Sequence, residues 1–158
     1  MQNNATLEFS GFFRAFYCGF SWQNNLGIIT IADISSQFIN VTEPFLLLEQ
    51  IENHIRNILD GKFLLEEMKD FCNGDGDVKD IKYIDDLTFG NYIRIIENPE
   101  NWERLKLSID RSPFIKQLHK IREIRNDVMH FDPEGITSEQ REDLLKMSKF
   151  LMELSKFM

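Results

Sequence analysis

The sequence predicts an all-α protein: an antiparallel bundle of four or five helices that follows a short N-terminal β or irregular segment. Three observations support this prediction. Apolar residues recur at three- and four-residue spacing from residue 40 onward. Residues that favour helix starts precede several of these stretches. The connections between them are short, as in antiparallel bundles. With 158 residues, 42% of them apolar, the chain suits one compact domain.

The first 39 residues differ from the others, so we divide the chain into an N-terminal extension (1–39) and a helical domain (40–158). Residues 26–31 form a short apolar run rich in β-branched side chains, and they follow the turn-like segment 23–25. This pattern predicts one buried strand. The Phe-rich stretch 7–22 is either a strand or irregular. Because one strand is not stable alone, it is expected to pair within the extension or with another chain.

The first helix is predicted to begin at Asn40–Pro44, where an Asn, a Glu three residues later and a proline form a helix-start pattern. Gly61 is suited to ending it, and Glu52 and Arg56 are spaced to pair on its surface. The segment from Phe63 to Phe71 is either a second helix or a continuation. The predicted core residues of the first helix are Leu47, Leu48, Ile51, Ile55, Ile58 and Leu59.

Four more helices are predicted after residue 80. Three of them have predicted starts with a capping residue or a proline: Asp86 or Thr88, Ser112–Pro113 (a long helix over about 113–131) and Thr137–Gln140. Asn98–Pro99 breaks the first of these helices, and a short helix that carries Trp102 and Leu105 follows it. The predicted core residues are Tyr92, Ile93, Ile95, Ile96, Trp102, Leu105, Leu144, Met147, Phe150, Leu151 and Leu154.

Charge is distributed unevenly along the chain. The net charge is −8, which excludes a protein that coats nucleic acid through bulk positive charge. Residues 101–125, however, contain seven basic and three acidic side chains. Such a patch on an acidic body can bind a few phosphates. The plainer alternative is a solvated helix face that happens to be basic.

The sequence also predicts a cytoplasmic protein without a membrane segment. No apolar run approaches the roughly 20 residues that a membrane span needs, and the aromatic start does not have the pattern of a signal peptide. The two cysteines, Cys18 and Cys72, lie far apart and lack metal-ligand spacing, which suggests free thiols. Without a phosphate-binding glycine loop, a nucleophile elbow or a Cys/His cluster, no metal or cofactor is predicted.

The most informative segment is 121–131 within the long predicted helix. At about 100° per residue, its apolar residues form one stripe that faces the bundle. We use the term polar strip for Arg122, Arg125, Asn126 and His130, which lie beside that stripe together with Met129. Asn126 and His130 are four residues apart, so their side chains are expected to be within contact distance.

This strip contains the groups that RNA cleavage needs. The imidazole of His130 can take the proton of a 2′-hydroxyl or give one to the leaving 5′-oxygen. The guanidinium of Arg125 can bind the scissile phosphate, and Asn126 can orient the imidazole. No metal is required because RNA carries its own nucleophile. Arg111, Lys120 and Arg122 are predicted to bind the substrate. The plainer alternative is a solvated helix face, and we expect His54 and His119 to be structural or exposed.

Arg125-Asn126-Asp127-Val128-Met129-His130 resembles the Arg-x4-His signature of the HEPN superfamily. The segment from Thr42 to Arg56 is similar to a first HEPN helix. The stretch from Asp86 to Trp102, followed by Phe114 and the motif helix, resembles HEPN domains attached to CBS modules in bacteria. The resemblance covers about residues 40–158.

Residues 27–34 resemble the closing strand and helix start of a CBS motif, in which the residues corresponding to Thr30 and Asp33 contact a nucleotide. Only the tail of one such motif is present, so a complete nucleotide pocket is not expected. The extension 1–39 therefore resembles a CBS remnant.

The HEPN resemblance implies a homodimer whose motif helices meet at a cleft, and a metal-independent endoribonuclease, such as a toxin or defence effector. Arg125 and His130 would be catalytic and Asn126 would support them. Implied partners are RNA, a second copy of the chain, and a cognate antitoxin or regulatory domain. Asp132 stands where antitoxin-modified members carry a Tyr. The alternative is a non-catalytic HEPN module that dimerises or binds nucleotides and is linked to a CBS sensor.

Overall fold

A computed structural model describes residues 30–72, 81–130 and 135–156 of the chain, and in these ranges it contains helices and no strand. The predicted all-α bundle is confirmed for this part of the protein. The helices are α1 (Ile31–Leu59), α2 (Leu65–Cys72), α3 (Phe89–Glu97), α4 (Pro99–Leu105), α5 (Arg111–Met129) and α6 (Ser138–Ser155), with a 3-10 turn at Ile84–Asp86 before α3.

The predicted start of the first helix at Asn40–Pro44 is wrong, because α1 begins nine residues earlier, at Ile31. Thr30 caps it: its hydroxyl accepts a hydrogen bond from the backbone N–H of Asp33 (3.2 Å), and the Asp33 carboxylate accepts one from the N–H of Thr30 (2.8 Å). The CBS resemblance assigned Thr30 and Asp33 to a nucleotide, but in the structure these two residues are hydrogen-bonded to each other.

Residues 31–39 are thus helical, and the prediction that they have β character is wrong. The predicted strand 26–31 ends in the cap and first residue of α1, and its other residues lie outside the described ranges. The boundary that we placed between residues 39 and 40 falls inside a continuous helix. Pro44 does not end or begin that helix but lies buried within it. Proline at an interior position removes one backbone donor, a loss that packing of the ring can offset.

The core is formed by the apolar faces that the sequence predicted. All six predicted core residues of α1 are buried, as are Ile121, Ile124 and Val128 of α5. The predicted core residues of α3, α4 and α6 are buried too, with two exceptions: Trp102 is half-buried and Phe150 is 40% exposed. The buried ones are Tyr92, Ile93, Ile95, Ile96, Leu105, Leu144, Met147, Leu151 and Leu154. α1 packs most extensively against α6, and α3 packs between α4 and α5. This arrangement leaves one face of α5 open to solvent.

Cap chemistry explains most of the helix boundaries. The hydroxyl of Thr88, rather than Asp86, caps α3 by accepting from the backbone N–H of Asn91. The Asn98 side chain caps α4, and Thr137 with Gln140 forms the predicted capping box of α6. α5 spans Arg111–Met129, so it begins and ends two residues before the predicted 113–131. Gly61, which adopts a positive φ of 66°, follows the end of α1.

An ion pair connects α2 to α4 and gives the fold a dependence on pH. The Arg104 guanidinium donates to both carboxylate oxygens of Glu67, at 2.8 and 3.1 Å. These hydrogen bonds, together with one from the backbone N–H of Leu64, hold the pKa of Glu67 below its ordinary value of 4.5. A carboxyl whose pKa is lower in the folded state stabilises the fold above its ordinary pKa, and this stabilisation is lost as the pH falls through the folded value.

We therefore expect the melting temperature of the wild type to fall more steeply below pH 4.5 than that of Glu67→Gln. Glu103→Gln is the matched control, because Glu103 is an exposed glutamate of α4 that has no ion-pair partner among the described residues. Thermal unfolding followed by circular dichroism between neutral pH and pH 3 measures both. Equal pH profiles for wild type and Glu67→Gln would show that the pair does not contribute.

Candidate functional site

The polar strip lies on the solvent side of α5, beside the buried stripe of Ile121, Ile124 and Val128. Arg122, Asn126 and His130 are exposed, and Arg125 is half-buried. The strip therefore occupies one continuous surface near the C-terminal end of α5. Four of the six predicted site residues belong to it.

His130 lies just beyond the helix rather than on it. α5 ends at Met129, and His130 is its C-cap residue, with φ −82° and ψ 1°. Its backbone N–H donates to the backbone carbonyl of Asn126 at 2.9 Å. The predicted contact between the two side chains does not occur as a hydrogen bond in the described structure. The imidazole is exposed, so it is accessible to a substrate.

Arg125 lines a small cavity of about 140 Å³ between α1 and α5. The other lining residues are Phe45, Leu48, Glu49, Glu52, Arg56 and Met129. Glu52 accepts a hydrogen bond from Arg56 at 2.7 Å, which confirms their predicted pairing. The cavity thus contains two carboxylates and two guanidiniums, and its charges balance. Sequence reasoning missed this cavity, although its five α1 residues recur at helical spacing on one face.

Arg56 is held in place from a second direction. Its Nε donates to the Tyr92 hydroxyl at 2.9 Å, and that hydroxyl donates to the backbone carbonyl of Ile84 at 3.0 Å. Burial raises the pKa of Tyr92, so the hydroxyl stays protonated. The side chains of Arg56 and Glu52 are therefore held by hydrogen bonds within the protein. Arg125 has no ion-pair partner among the described residues.

Arg122 extends over α3. A β-carbon built on Gly90 would lie 3.7 Å from the guanidinium carbon of Arg122, an ordinary van der Waals contact. A methyl group at residue 90 would therefore fit against this guanidinium without displacing it. None of the described carboxylates forms an ion pair with Arg122.

The other two predicted substrate-binding residues, Lys120 and Arg111, form bonds within the protein. The Lys120 ammonium lies 2.6 Å from the Asp143 carboxylate and 3.3 Å from that of Glu139, so it connects α5 to α6. The hydrogen bond with Asp143 is the main reason that the pKa of Lys120 is raised. Arg111 donates to the backbone carbonyl of Glu97, at 2.7 Å, near the end of α3. Neither residue belongs to the polar strip.

The other two histidines have local partners. His119 Nε2 lies 2.6 Å from a carboxylate oxygen of Glu97, and His54 Nδ1 lies 3.1 Å from the Ser155 hydroxyl. Both contacts join neighbouring helices, as expected of structural histidines. His130 differs from them because no described side chain is hydrogen-bonded to its ring.

Neither a metal site nor a membrane span can be identified in the described ranges. No three His, Cys, Asp or Glu side chains there are grouped so that they could hold a metal ion. None of the six helices is long and apolar enough to cross a membrane. No protein-family model matches the chain, and neither a curated protein nor a solved structure is similar to it at a significant level.

The double contact of Lys120 leads to a stability prediction. Lys120→Met should lower the melting temperature at neutral pH, because it leaves the half-buried carboxylate of Asp143 without its cation. Lys116→Met is the control: Lys116 is exposed one turn earlier on α5, without an ion-pair partner among the described residues, and its replacement should leave the melting temperature nearly unchanged. Differential scanning calorimetry distinguishes the two. Equal melting temperatures for the two variants would contradict the structural role of Lys120.

Proposed function

We propose that the protein is a metal-independent endoribonuclease that acts as a homodimer, with Arg125 and His130 of both copies forming one composite site. The observation that carries this proposal is a grouping: two guanidiniums without ion pairs among the described residues lie beside the exposed imidazole of His130 on one face of α5. Lys106, Lys116 and Lys149 also form no ion pair with the described residues, so an unpaired cation alone does not mark a site. The polar strip differs because its unpaired cations and its imidazole occur together.

Arg122 and Arg125 differ from the basic residues that hold helices together. Ion pairs with carboxylates are formed by Arg56, Arg104, Lys120, Arg141, Lys146 and Lys156. Arg122 and Arg125 form none with the described residues. Two acids adjoin the strip in sequence: Glu123 forms no ion pair with the described residues, and Asp127 accepts a hydrogen bond from the Gln140 side chain at 3.0 Å and is thereby directed toward α6. Two guanidiniums therefore remain available for an external anion such as a phosphate.

The strip has the groups for transesterification of RNA. His130 of one copy would remove the proton of a ribose 2′-hydroxyl, and the 2′-oxygen would form a bond to phosphorus as the bond to the 5′-oxygen breaks. His130 of the second copy would give a proton to that leaving oxygen. Arg125 and Arg122 would stabilise the additional negative charge on the phosphorus centre. The products are a 2′,3′-cyclic phosphate and a 5′-hydroxyl.

The HEPN-like motif supports this assignment, because it contains the Arg-x4-His pair on the last turn and C-cap of a bundle helix. A toxin or defence effector is the biological role that we propose with it, together with a cognate antitoxin or a regulatory domain as partner. Asn126, whose side chain has no described partner, would contact the phosphate or the imidazole.

A second candidate is a non-catalytic HEPN module that dimerises or binds a nucleotide. One observation favours it: Arg125 is half-buried in a cavity where Glu49 and Glu52 balance the two guanidiniums. In that case Arg125 would stabilise the contact between α1 and α5, and it would not bind a phosphate.

Cleavage of RNA in the presence of a chelator distinguishes the two candidates. We expect the wild-type chain to cut single-stranded RNA in EDTA and His130→Ala to lose about 10²- to 10⁴-fold in rate, the usual contribution of a general acid or base. His119→Ala is the matched control and should retain wild-type activity, since His119 contacts Glu97 away from the strip. A substrate with 2′-deoxyribose at the scissile position should not be cut.

Arginine variants test the phosphate-binding role. Arg125→Ala should reduce the cleavage rate at least as strongly as it reduces RNA affinity, whereas Arg141→Ala, which removes an exposed pair with Glu43 on another face, should not change it. Cutting by His130→Ala at the wild-type rate would overturn the proposed mechanism. Absence of cutting by the folded wild type, combined with adenine-nucleotide binding in calorimetry, would favour the second candidate.

A further inference from the structure

The N-terminal part of α1, which we call the arm (residues 31–42), displays apolar side chains to solvent. Ile31 is 84% exposed, Ile34 53%, Phe38 58% and Val41 45%. None of the arm's side chains is buried against the described bundle, whereas α1 is embedded in the core from Pro44 onward. By helix geometry the arm is about 18 Å long.

Apolar residues of α1 follow a coiled-coil spacing. Ile31, Ile34, Phe38, Val41, Phe45 and Leu48 are separated by three, four, three, four and three residues. We call these six residues the seam; the first four are exposed, Phe45 is half-buried, and Leu48 belongs to the core of the bundle. An alternation of three and four keeps apolar residues at the two contact positions of successive heptads, which is the pattern of helices that pair along their length.

The hydroxyl groups beside the seam already donate hydrogen bonds within the helix. The Ser35 hydroxyl donates to the backbone carbonyl of Ile31 at 2.8 Å, and the Thr42 hydroxyl donates to that of Phe38, also at 2.8 Å. Both side chains occupy the same heptad position, next to the seam. Because their hydroxyl protons are already hydrogen-bonded within the helix, a partner can cover them without leaving a donor unsatisfied.

The arm is also nearly uncharged in a chain with a net charge of −8. Its one charged residue, Asp33, lies outside the seam and is bonded to Thr30 in the helix cap. Two copies of such an acidic protein repel each other over most of their surface. The arm is a place where identical surfaces can meet without like-charge contacts.

The arm gains little stability from its own residues. It continues α1 without a break and needs no nucleation of its own, but none of its side chains is buried, and it is rich in β-branched residues, which are poor helix formers. A second helix with the same seam would both bury the apolar side chains and stabilise the arm.

We propose that the arm is a dimerisation surface whose occupant is the arm of a second copy, aligned in parallel. The seam ends at Phe45 and Leu48, which line the same cavity as Arg125 and Met129, and Met129 is itself 45% exposed. Parallel pairing brings this end of both seams together, so both polar strips lie near the twofold axis. Antiparallel pairing places them at opposite ends. The pairing of the two arms stands on α1 alone, whereas its parallel direction and the shared site rest on the proposed function.

Two substitutions of equal exposure test the surface. In sedimentation velocity of the full chain at micromolar concentrations, the wild type should be a dimer. Phe38→Glu should weaken it by about a hundredfold or more, because each copy would bury an unpaired carboxylate. Ile39→Glu is the matched control: Ile39 is 57% exposed on the next residue of the same helix, but it lies off the seam. This variant should remain dimeric.

Ile34→Ser provides a second seam variant in case Phe38→Glu fails to fold, and helical circular dichroism verifies each protein. A monomeric wild type would overturn the proposal, since some other part of the chain would then have to cover the arm. Equal effects of Phe38→Glu and Ile39→Glu would also overturn it.

A cysteine at residue 31 tests the direction of pairing. In a background of Cys18→Ser and Cys72→Ser, Ile31→Cys should form a disulfide-linked dimer under mild oxidation, because identical seam positions face each other in a parallel pair. A second variant carries both Ile31→Cys and Val41→Cys. If this variant forms a disulfide-linked dimer readily and Ile31→Cys alone does not, the pairing is antiparallel and the parallel alignment is overturned.

These outcomes separate the inference from the proposed function. A dimer that dissociates on Phe38→Glu but never cuts RNA supports the inference and counts against the ribonuclease. RNA cutting by a Phe38→Glu protein that remains dimeric supports the ribonuclease and overturns the inference.

Discussion

Burial of the apolar stripe of α5 is the constraint on which the candidate site depends. Ile121, Ile124 and Val128 are between 0% and 8% exposed and fix the rotation of α5 about its own axis. Rotating the helix by one residue would move this stripe about 100° out of the core, at a large cost in buried apolar area. The orientation of Arg122, Asn126 and His130 toward solvent follows from this packing. No additional interaction is needed to expose them.

α1 has a second constraint, because two apolar stripes run along it. The core stripe around Ile51, Ile55 and Ile58 faces the bundle, and the seam lies roughly a quarter turn away. The sequence predicted the first stripe, since the interior of a bundle requires it. It did not predict the second, because the β-branched composition of residues 26–31 suggested a strand and Asn40–Pro44 suggested a helix start. Both signals come from short segments of sequence. In the structure, the helix instead begins at the capping box of Thr30 with Asp33, and its packing beyond Pro44 keeps it continuous.

From the sequence, only the part of the site that lies on one helix could be predicted. The positions of Arg122 and Asn126 follow from helical periodicity within one helix, and His130 directly follows the end of that helix as its C-cap. The surroundings of Arg125 do not, because Glu49, Glu52 and Arg56 belong to a helix more than 60 residues away in sequence. The same limit applies to Lys120 and Arg111, whose partners Asp143 and Glu97 are on other helices. A basic window in a sequence cannot distinguish cations that hold the fold together from cations that remain available.

The difference between paired and unpaired cations determines how an acidic protein can bind a polyanion. Paired cations contribute little to the field outside the protein, since each is neutralised within a few ångströms. Arg122 and Arg125 are not paired, but the carboxylates of Glu49 and Glu52 lie beside the second of them. One copy therefore offers a weak and narrow site. Two copies that meet near their strips would place four guanidiniums and two imidazoles around one phosphodiester, while Glu52 remains neutralised by Arg56. Such an association would make the potential at the strips positive locally, which the net charge of −8 for the whole chain does not describe.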